Sequence, residues 1–404
     1  MIVEIVVSLF VVWLSWSVVS SYMMRRKMPP GPFPFPFIGN FPQMLCDPKN
    51  PFNKLAETYG DIYTLSFPTG NTVVLNTASL AREARLEKRS NLIGRSPESM
   101  YPFNVIIGED LSVADYSPKY VFRKKVFLSA LHRVESGLND AVKILLEEIE
   151  SHEGKAFSPN KRLHASILSQ LWKMMAGRKV SPNGQTIKSL LEFEEILGRQ
   201  ALSATFYQMI PLSSYLPSQF NRDIKRAVEI RETLILPEFK AHLETYQPNV
   251  TRDLIDSFIT SFKKEILKQD GKDVGSIEAI LGLMIDFLTA GSELILSALS
   301  WFMLYMVVHK NVQERIHQEI YKIVGTDRNP EWEDIKDMSY LQAALCEVLR
   351  IVTVAPLSGT NAIRDTTIAG YNIPKGTLVA LNLFQVHHDE REWPEPDVFK
   401  PERF

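Results

Sequence analysis

Glu347 and Arg350, three positions apart in Glu347-Val348-Leu349-Arg350, form the clearest chemical pattern in the sequence. Positions i and i+3 share one face of a helix, so carboxylate and guanidinium can pair and together reach a third group. Exposed, such a pair contributes little to stability. Buried, it can pin a second segment of chain. Metal chemistry has less support. His387-His388-Asp389 has no cysteine or second histidine motif at ligand spacing, and no metal site is expected. The two cysteines, Cys46 and Cys346, form no CxxC pair, which argues against zinc, iron–sulfur and disulfide frameworks. Cys346 is expected to be a buried helix cysteine. No Gly-rich nucleotide loop is readable, so no flavin or nicotinamide site is expected within the chain.

The elements that must position these residues follow from periodicity. Runs 61–67 and 72–75 are β-branched and aromatic, separated by Pro68-Thr69-Gly70-Asn71, and predict a hairpin. From about 118 to 247 apolar residues recur at three- and four-residue spacing, as in 138–149 and 187–197. Pro211, Pro217, Pro237 and Pro248 are expected to break this region. Helices are predicted over 256–267, 277–309 and 313–324. The 277–309 run is apolar almost all round, which suits a membrane span or a central buried helix. Asp286 and Glu293 would be costly in lipid, so the central helix is preferred. After Arg350, runs 366–372 and 377–381 read as strands flanking the turn Ile373-Pro374-Lys375-Gly376.

Composition sets the outer bounds. The chain has 404 residues, 45% hydrophobic and 23% charged, with a net charge of -2, which describes a globular protein with ample core. No linker divides it after residue 50, so one large domain, 41–404, is expected. The near-neutral balance argues against a nucleic-acid partner. Residues 5–24 carry no charge, and about 20 helical residues span a bilayer core. Trp13, Trp16 and Tyr22 supply interfacial aromatics, and Arg25-Arg26-Lys27 follows, which places this cluster on the cytoplasmic side. Residues 1–24 therefore predict a membrane anchor, with a cleaved signal peptide as the competing reading. Residues 25–40 predict a basic, proline-rich hinge that acts as a semi-rigid spacer off the membrane, or an SH3-type ligand. Asn249-Val250-Thr251 reads as a chance sequon on a cytoplasmic domain.

From about Pro29 to Phe404 the order of landmarks resembles the microsomal cytochromes P-450. It runs through the proline hinge, the hairpin after Tyr59-Gly60-Asp61, the segment Ala290-Gly291-Ser292-Glu293-Leu294-Ile295, Glu347–Arg350, and Pro401-Glu402-Arg403-Phe404. The wording near Glu347–Pro356 and from His387 to Phe404 is most similar to the steroid 17-hydroxylase branch. The resemblance implies a fold that is mainly α with small β-sheets, lacking the C-terminal heme-cysteine segment. It implies heme as cofactor, although the cysteine that ligates the iron follows this point in the family. It also implies a monooxygenase that inserts one oxygen atom of dioxygen into a small lipophilic substrate, steroid-like or xenobiotic. Electrons would come from a separate NADPH-dependent flavoprotein reductase at the endoplasmic reticulum membrane, with the catalytic domain cytoplasmic.

The same resemblance assigns roles residue by residue. Arg403 joins Glu347 and Arg350 in a structural network that holds the cysteine loop. Ala290, Gly291 and Glu293 match the catalytic oxygen-activation segment, in which glycine lets oxygen approach and an acid–threonine pair delivers protons. Leu294 stands where that threonine is expected and cannot relay a proton. Tyr120 and Lys124 occupy the positions of a Trp and an Arg that contact a heme propionate. Lys124 reads equally well, with Arg123 and Lys125, as a basic surface for an acidic redox partner. Thr360-Asn361 replaces the usual Pro-His near the other propionate. A truncated, heme-free, non-enzymatic anchored remnant is the competing functional reading.

Overall fold

The computed structural model describes residues 25–45, 51–95, 101–108, 110–131, 142–143, 146–147, 149–208, 213–268 and 275–404. The anchor expected over 1–24, Cys46, Pro211 and most of the helix expected over 138–149 lie outside these residues. In chain order the larger elements are α1 (Pro51–Tyr59), β1 (Ile62–Phe67), β2 (Gly70–Leu75), α2 (Pro118–Leu131), α3 (Asn160–Ala176), α4 (Gln185–Gln208), α5 (Gln219–Ile230), α6 (Leu236–Thr245), α7 (Leu254–Lys268), α8 (Ala279–Val308), α9 (Lys310–Val324), α10 (Ser339–Val352), β3 (Leu357–Asn361), β4 (Thr366–Ile368), β5 (Tyr371–Ile373) and β6 (Leu378–Asn382). The chain is mainly α with small β-sheets. It divides into two compact units, one formed by residues 1–95 with 332–404, the other by 96–331.

The first unit is built on a four-stranded sheet in the order β1-β2-β6-β3. The predicted hairpin is present, with Thr64 opposite Val73 across the β1–β2 pair. Gly70, at φ 130, turns the chain where a side chain would be strained. β2 runs parallel to β6, with Val74 opposite Ala380, and β6 runs antiparallel to β3, with Thr360 opposite Val379. The expected strand 366–372 is two strands: β4 and β5 pair with each other and turn at Ala369-Gly370, both at positive φ. The run after Gly376 then joins the larger sheet as β6. Val73, Leu75, Val379 and Leu381 share one core cluster with Ile368 and Ile373, while Tyr63, Leu65 and Val74 share another with Leu55 of α1.

The proline-rich segment is not a free spacer. Pro30 O accepts the Thr64 N–H at 2.7 Å, and Pro29 O accepts the Thr64 hydroxyl at 2.9 Å. Arg25 donates to Pro32 O and Thr64 O, and Met28 is buried in the sheet's core cluster. Gly31 permits this docking, because a Cβ there would lie 2.0 Å from Thr64 O. Proline presents carbonyls without competing N–H groups, which suits it to edging a strand.

The second unit is helical. Its core gathers Trp172 and Leu168 from α3, Phe193 from α4, Phe239 from α6, Phe258 and Phe262 from α7, and Leu283 to Leu288 from α8. Ser218 caps α5 by accepting the Asn221 N–H, and Gly177, at φ 67, ends α3. Pro237 does not break the helical run as expected. It sits in the first turn of α6, directly after a wide π-turn over Arg231–Ile235, where its missing N–H leaves no internal bond unmade. Helix α8 is buried through its first ten residues, but its second half presents Leu294, Ile295, Leu299 and Leu304 as exposed side chains. The central-helix expectation therefore describes its N-terminal half only.

Candidate active site

In the first unit, α10 turns Glu347, Val348 and Arg350 inward, and Glu347 has no exposed surface. Arg350 grips it with two parallel bonds, Nε to Oε2 at 2.7 Å and Nη2 to Oε1 at 2.9 Å. Arg403 Nε reaches Glu347 Oε1 at 3.2 Å, and the backbone N–H of Lys400 reaches the same oxygen at 3.0 Å. Two guanidinium groups and one N–H thus compensate one fully desolvated carboxylate. The remaining guanidinium donors reach backbone carbonyls. Arg350 donates to His387 O and Pro396 O at 2.7 Å, and Arg403 donates to Pro394 O at 2.5 Å and Glu395 O at 2.7 Å. These four carbonyls come from an otherwise irregular stretch. Glu395, held at φ 54, is a non-glycine residue in the left-handed region and its carbonyl is the one Arg403 holds. Arg350 also stacks over Trp393, whose indole N–H donates to Val386 O. The set is a clamp that fixes the backbone from 387 to 400.

Neighbouring features correct one expectation and add detail to two others. Cys346 is exposed rather than buried, because the inward face of α10 is taken by Glu347 and Arg350. The His387-His388-Asp389 side chains diverge. His387 meets the Thr353 hydroxyl, His388 bonds Phe384 O, and Asp389 pairs with Arg391. Burial, with His388 and Arg350 nearby, lowers the His387 pKa. Thr360 is not an empty replacement for histidine. Arg85 donates to its hydroxyl at 3.2 Å and to Ser358 Oγ at 3.0 Å, while Arg95 donates to Gly359 O at 2.7 Å. Burial first, then the Arg95 charge, hold Arg85 below its ordinary pKa. Two guanidinium groups lie close together along β3, and such a pair would suit a carboxylate such as a heme propionate.

In the second unit, Tyr120 and Lys124 lie on α2, Tyr120 half-buried and Lys124 exposed. The three-residue basic surface expected beside them does not form. Arg123 is buried, donating to Asp110 O, and Lys125 pairs with Glu265 at 2.7 Å, while Lys124 is exposed. On α8, Ala290 and Glu293 face outward with Leu294, while Gly291 faces α3. A Cβ on Gly291 would lie 3.3 Å from Leu171 Cδ1, so its small size serves the packing of α8 against α3. The hydroxyls next to Leu294 are engaged elsewhere. Thr289 Oγ1 bonds Ile285 O, and buried Ser292 donates to Glu194 of α4.

Three acidic or basic groups of this unit, His164, Glu194 and Asp110, carried no sequence signal. Glu194 is buried and meets His164 Nε2 at 2.6 Å. Burial raises its pKa, and the Glu293 charge pushes the same way. Asp286 is buried beside Asp110, and its oxygen accepts the Leu111 N–H at 2.7 Å. Burial and the Asp110 charge push Asp286 up to about 7. The one available hint was Asp286 itself, a carboxylate in an apolar helix that needed a partner.

The comparisons agree with this architecture. A profile of the cytochrome P450 family matches residues 29–404. The chain belongs to the cytochrome P450 family. It is 30% identical over 400 residues to cytochrome P450 1A3 of Oncorhynchus mykiss, covering 94% of this chain and 76% of that protein. It is 27% identical over 398 residues to a steroid 17-alpha-hydroxylase/17,20 lyase of Ictalurus punctatus, covering 96% and 77%. A zebrafish cytochrome P450 solved with abiraterone superposes with a TM-score of 0.75 at 25% identity, over 88% of this chain and 82% of that one. The family is one of heme monooxygenases, so heme iron is the cofactor it implies.

Proposed function

We propose that this cytochrome P450 inserts one atom of dioxygen into a small lipophilic substrate, steroid-like or xenobiotic, at the endoplasmic reticulum membrane, with electrons from an NADPH-dependent flavoprotein reductase. The observation that carries the reading is the complete Glu347–Arg350–Arg403 clamp within a family match over nearly the whole chain. The two kinds of relative, one steroid 17-alpha-hydroxylase/17,20 lyase and one 1A-type cytochrome P450, support the lipophilic class.

Heme, when bound, supplies the activation of dioxygen. The chain's own residues do the rest. Arg85 and Arg95 would hold a propionate through charge-assisted bonds from the sheet edge. The clamp fixes the 387–400 backbone without side-chain freedom, which is what a precisely placed ligand loop requires. By the family resemblance Tyr120 and Lys124 would meet a propionate, the lysine as a point charge weaker than a guanidinium fork. Glu293 is the proton donor of α8. Leu294 next to it gives no relay, so proton transfer must pass from Glu293 through water.

The test is isotopic. The full-length protein is reconstituted with a microsomal reductase and NADPH and given a panel of steroids and lipophilic xenobiotics under ¹⁸O₂. The reading expects one ¹⁸O atom in a hydroxylated product. NADPH-dependent oxygen uptake without any labelled product from the panel would overturn it.

A further inference from the structure

We propose that His164, Glu194 and Glu293 form a binding site for a divalent transition-metal cation of the zinc type. The three residues come from α3, α4 and α8, and one ligand atom from each lies within 4.8 Å of the other two. His164 Nε2 and a Glu194 oxygen are 2.6 Å apart. A tetrahedral cation with ligands near 2.0–2.1 Å needs donors about 3.3 Å apart. The histidine and Glu194 therefore part by less than about 1 Å, and Glu293 moves in. Glu293 is the exposed member, with a long side chain, and it provides both that movement and an entry path from solvent.

Charge favours the same conclusion. Two carboxylates and one imidazole converge on one point. Burial makes an ionised Glu194 costly, and a cation would offset that cost more completely than the hydrogen bond from His164. The supporting shell is also built. The Ser292 hydroxyl donates to the Glu194 oxygen that does not face His164, which fixes the carboxylate's orientation as outer partners do at metal sites. One imidazole with two carboxylates is a borderline donor set that selects zinc-like ions over magnesium or calcium. Occupancy would take the Glu293 carboxylate out of proton delivery, so the cation would act as a brake on a monooxygenase. Binding itself does not depend on that activity.

The experiment uses the full-length protein in detergent, stripped with a chelator and dialysed against Zn²⁺. The wild type, Glu293→Gln, His164→Gln and a distant control, His388→Gln, are compared for bound zinc, with circular dichroism to confirm folding. The expected result is one Zn²⁺ per chain in the wild type and the control, with affinity at least about 100-fold weaker in the two cluster variants. If His164→Gln fails to fold, Glu293→Gln decides alone, since an exposed residue tolerates that change. Absence of saturable binding in the wild type, or unchanged affinity in Glu293→Gln, overturns the proposal.

Discussion

Glu347 and Glu194 are both carboxylates withdrawn from water, at 0% and 5% exposure, yet their surroundings are opposite. Glu347 receives two guanidinium groups and a backbone N–H, and its charge is matched in full. Glu194 receives one imidazole and one hydroxyl, with a second carboxylate close by. Seven residues N-terminal to Glu293 on the same helix, a second carboxylate pair repeats the pattern: Asp286 stands beside Asp110. The first region is organised to hold backbone still. The second holds unspent negative charge next to the helix segment from which the family draws its protons. The clamp is thus matched group for group, while the carboxylates around α8 have fewer donors.

The largest expected effect breaks the first side of this comparison. Arg350→Leu strands a buried carboxylate and should cost about 3–5 kcal/mol in denaturant unfolding. A loss below about 1 kcal/mol would show that the clamp is not a buried charge network. The next effect probes the second side through pH. Asp286 has its pKa raised from 3.8 to about 7 in the folded chain. A raised acid pKa means stability that is full below the unfolded value and is lost as pH rises through the folded one. Between pH 5 and pH 8 this group should therefore remove about 2–3 kcal/mol. Asp286→Asn keeps an acceptor for Leu111 N–H and should flatten that part of the pH–stability curve. A variant with the same slope as the wild type would contradict the assignment.

Much of the first region was legible in the sequence, and little of the second. Glu347 and Arg350 are three residues apart on one helix, so their pairing follows from helical geometry alone. Arg403 needed the family resemblance, because nothing local ties it to residue 347. The hairpin was readable from its β-branched runs and turn, whereas the split of 366–372 at Ala369-Gly370 was not, since alanine rarely announces a left-handed turn. Glu194 and His164 sit in ordinary charged helical surroundings, and only tertiary packing brings them to Glu293. Cys346 was misread because its burial depends on which face of α10 the clamp claims.

Two smaller effects sharpen the comparison. Leu294→Thr restores a hydroxyl beside Glu293 and should raise the product formed per NADPH consumed by about tenfold, short of the full range of acid catalysis because Ser292 and Thr289 stay engaged elsewhere. No gain would place the proton route away from α8's outward face. Lys125→Ala removes a pair with Glu265 in which the lysine is 59% exposed, and should change stability by no more than about 0.5 kcal/mol.

The central claim is that the clamp, and not the α8 segment, decides whether a thiolate-ligated heme can be held. Its most direct test is the reduced carbon-monoxide spectrum of the full-length protein, alongside Arg350→Leu and Leu294→Thr. The account predicts the family's red-shifted Soret band in the wild type, an undiminished band in Leu294→Thr, and its loss in Arg350→Leu. A wild type without the band, or an Arg350→Leu protein that keeps it at full height, would contradict the account.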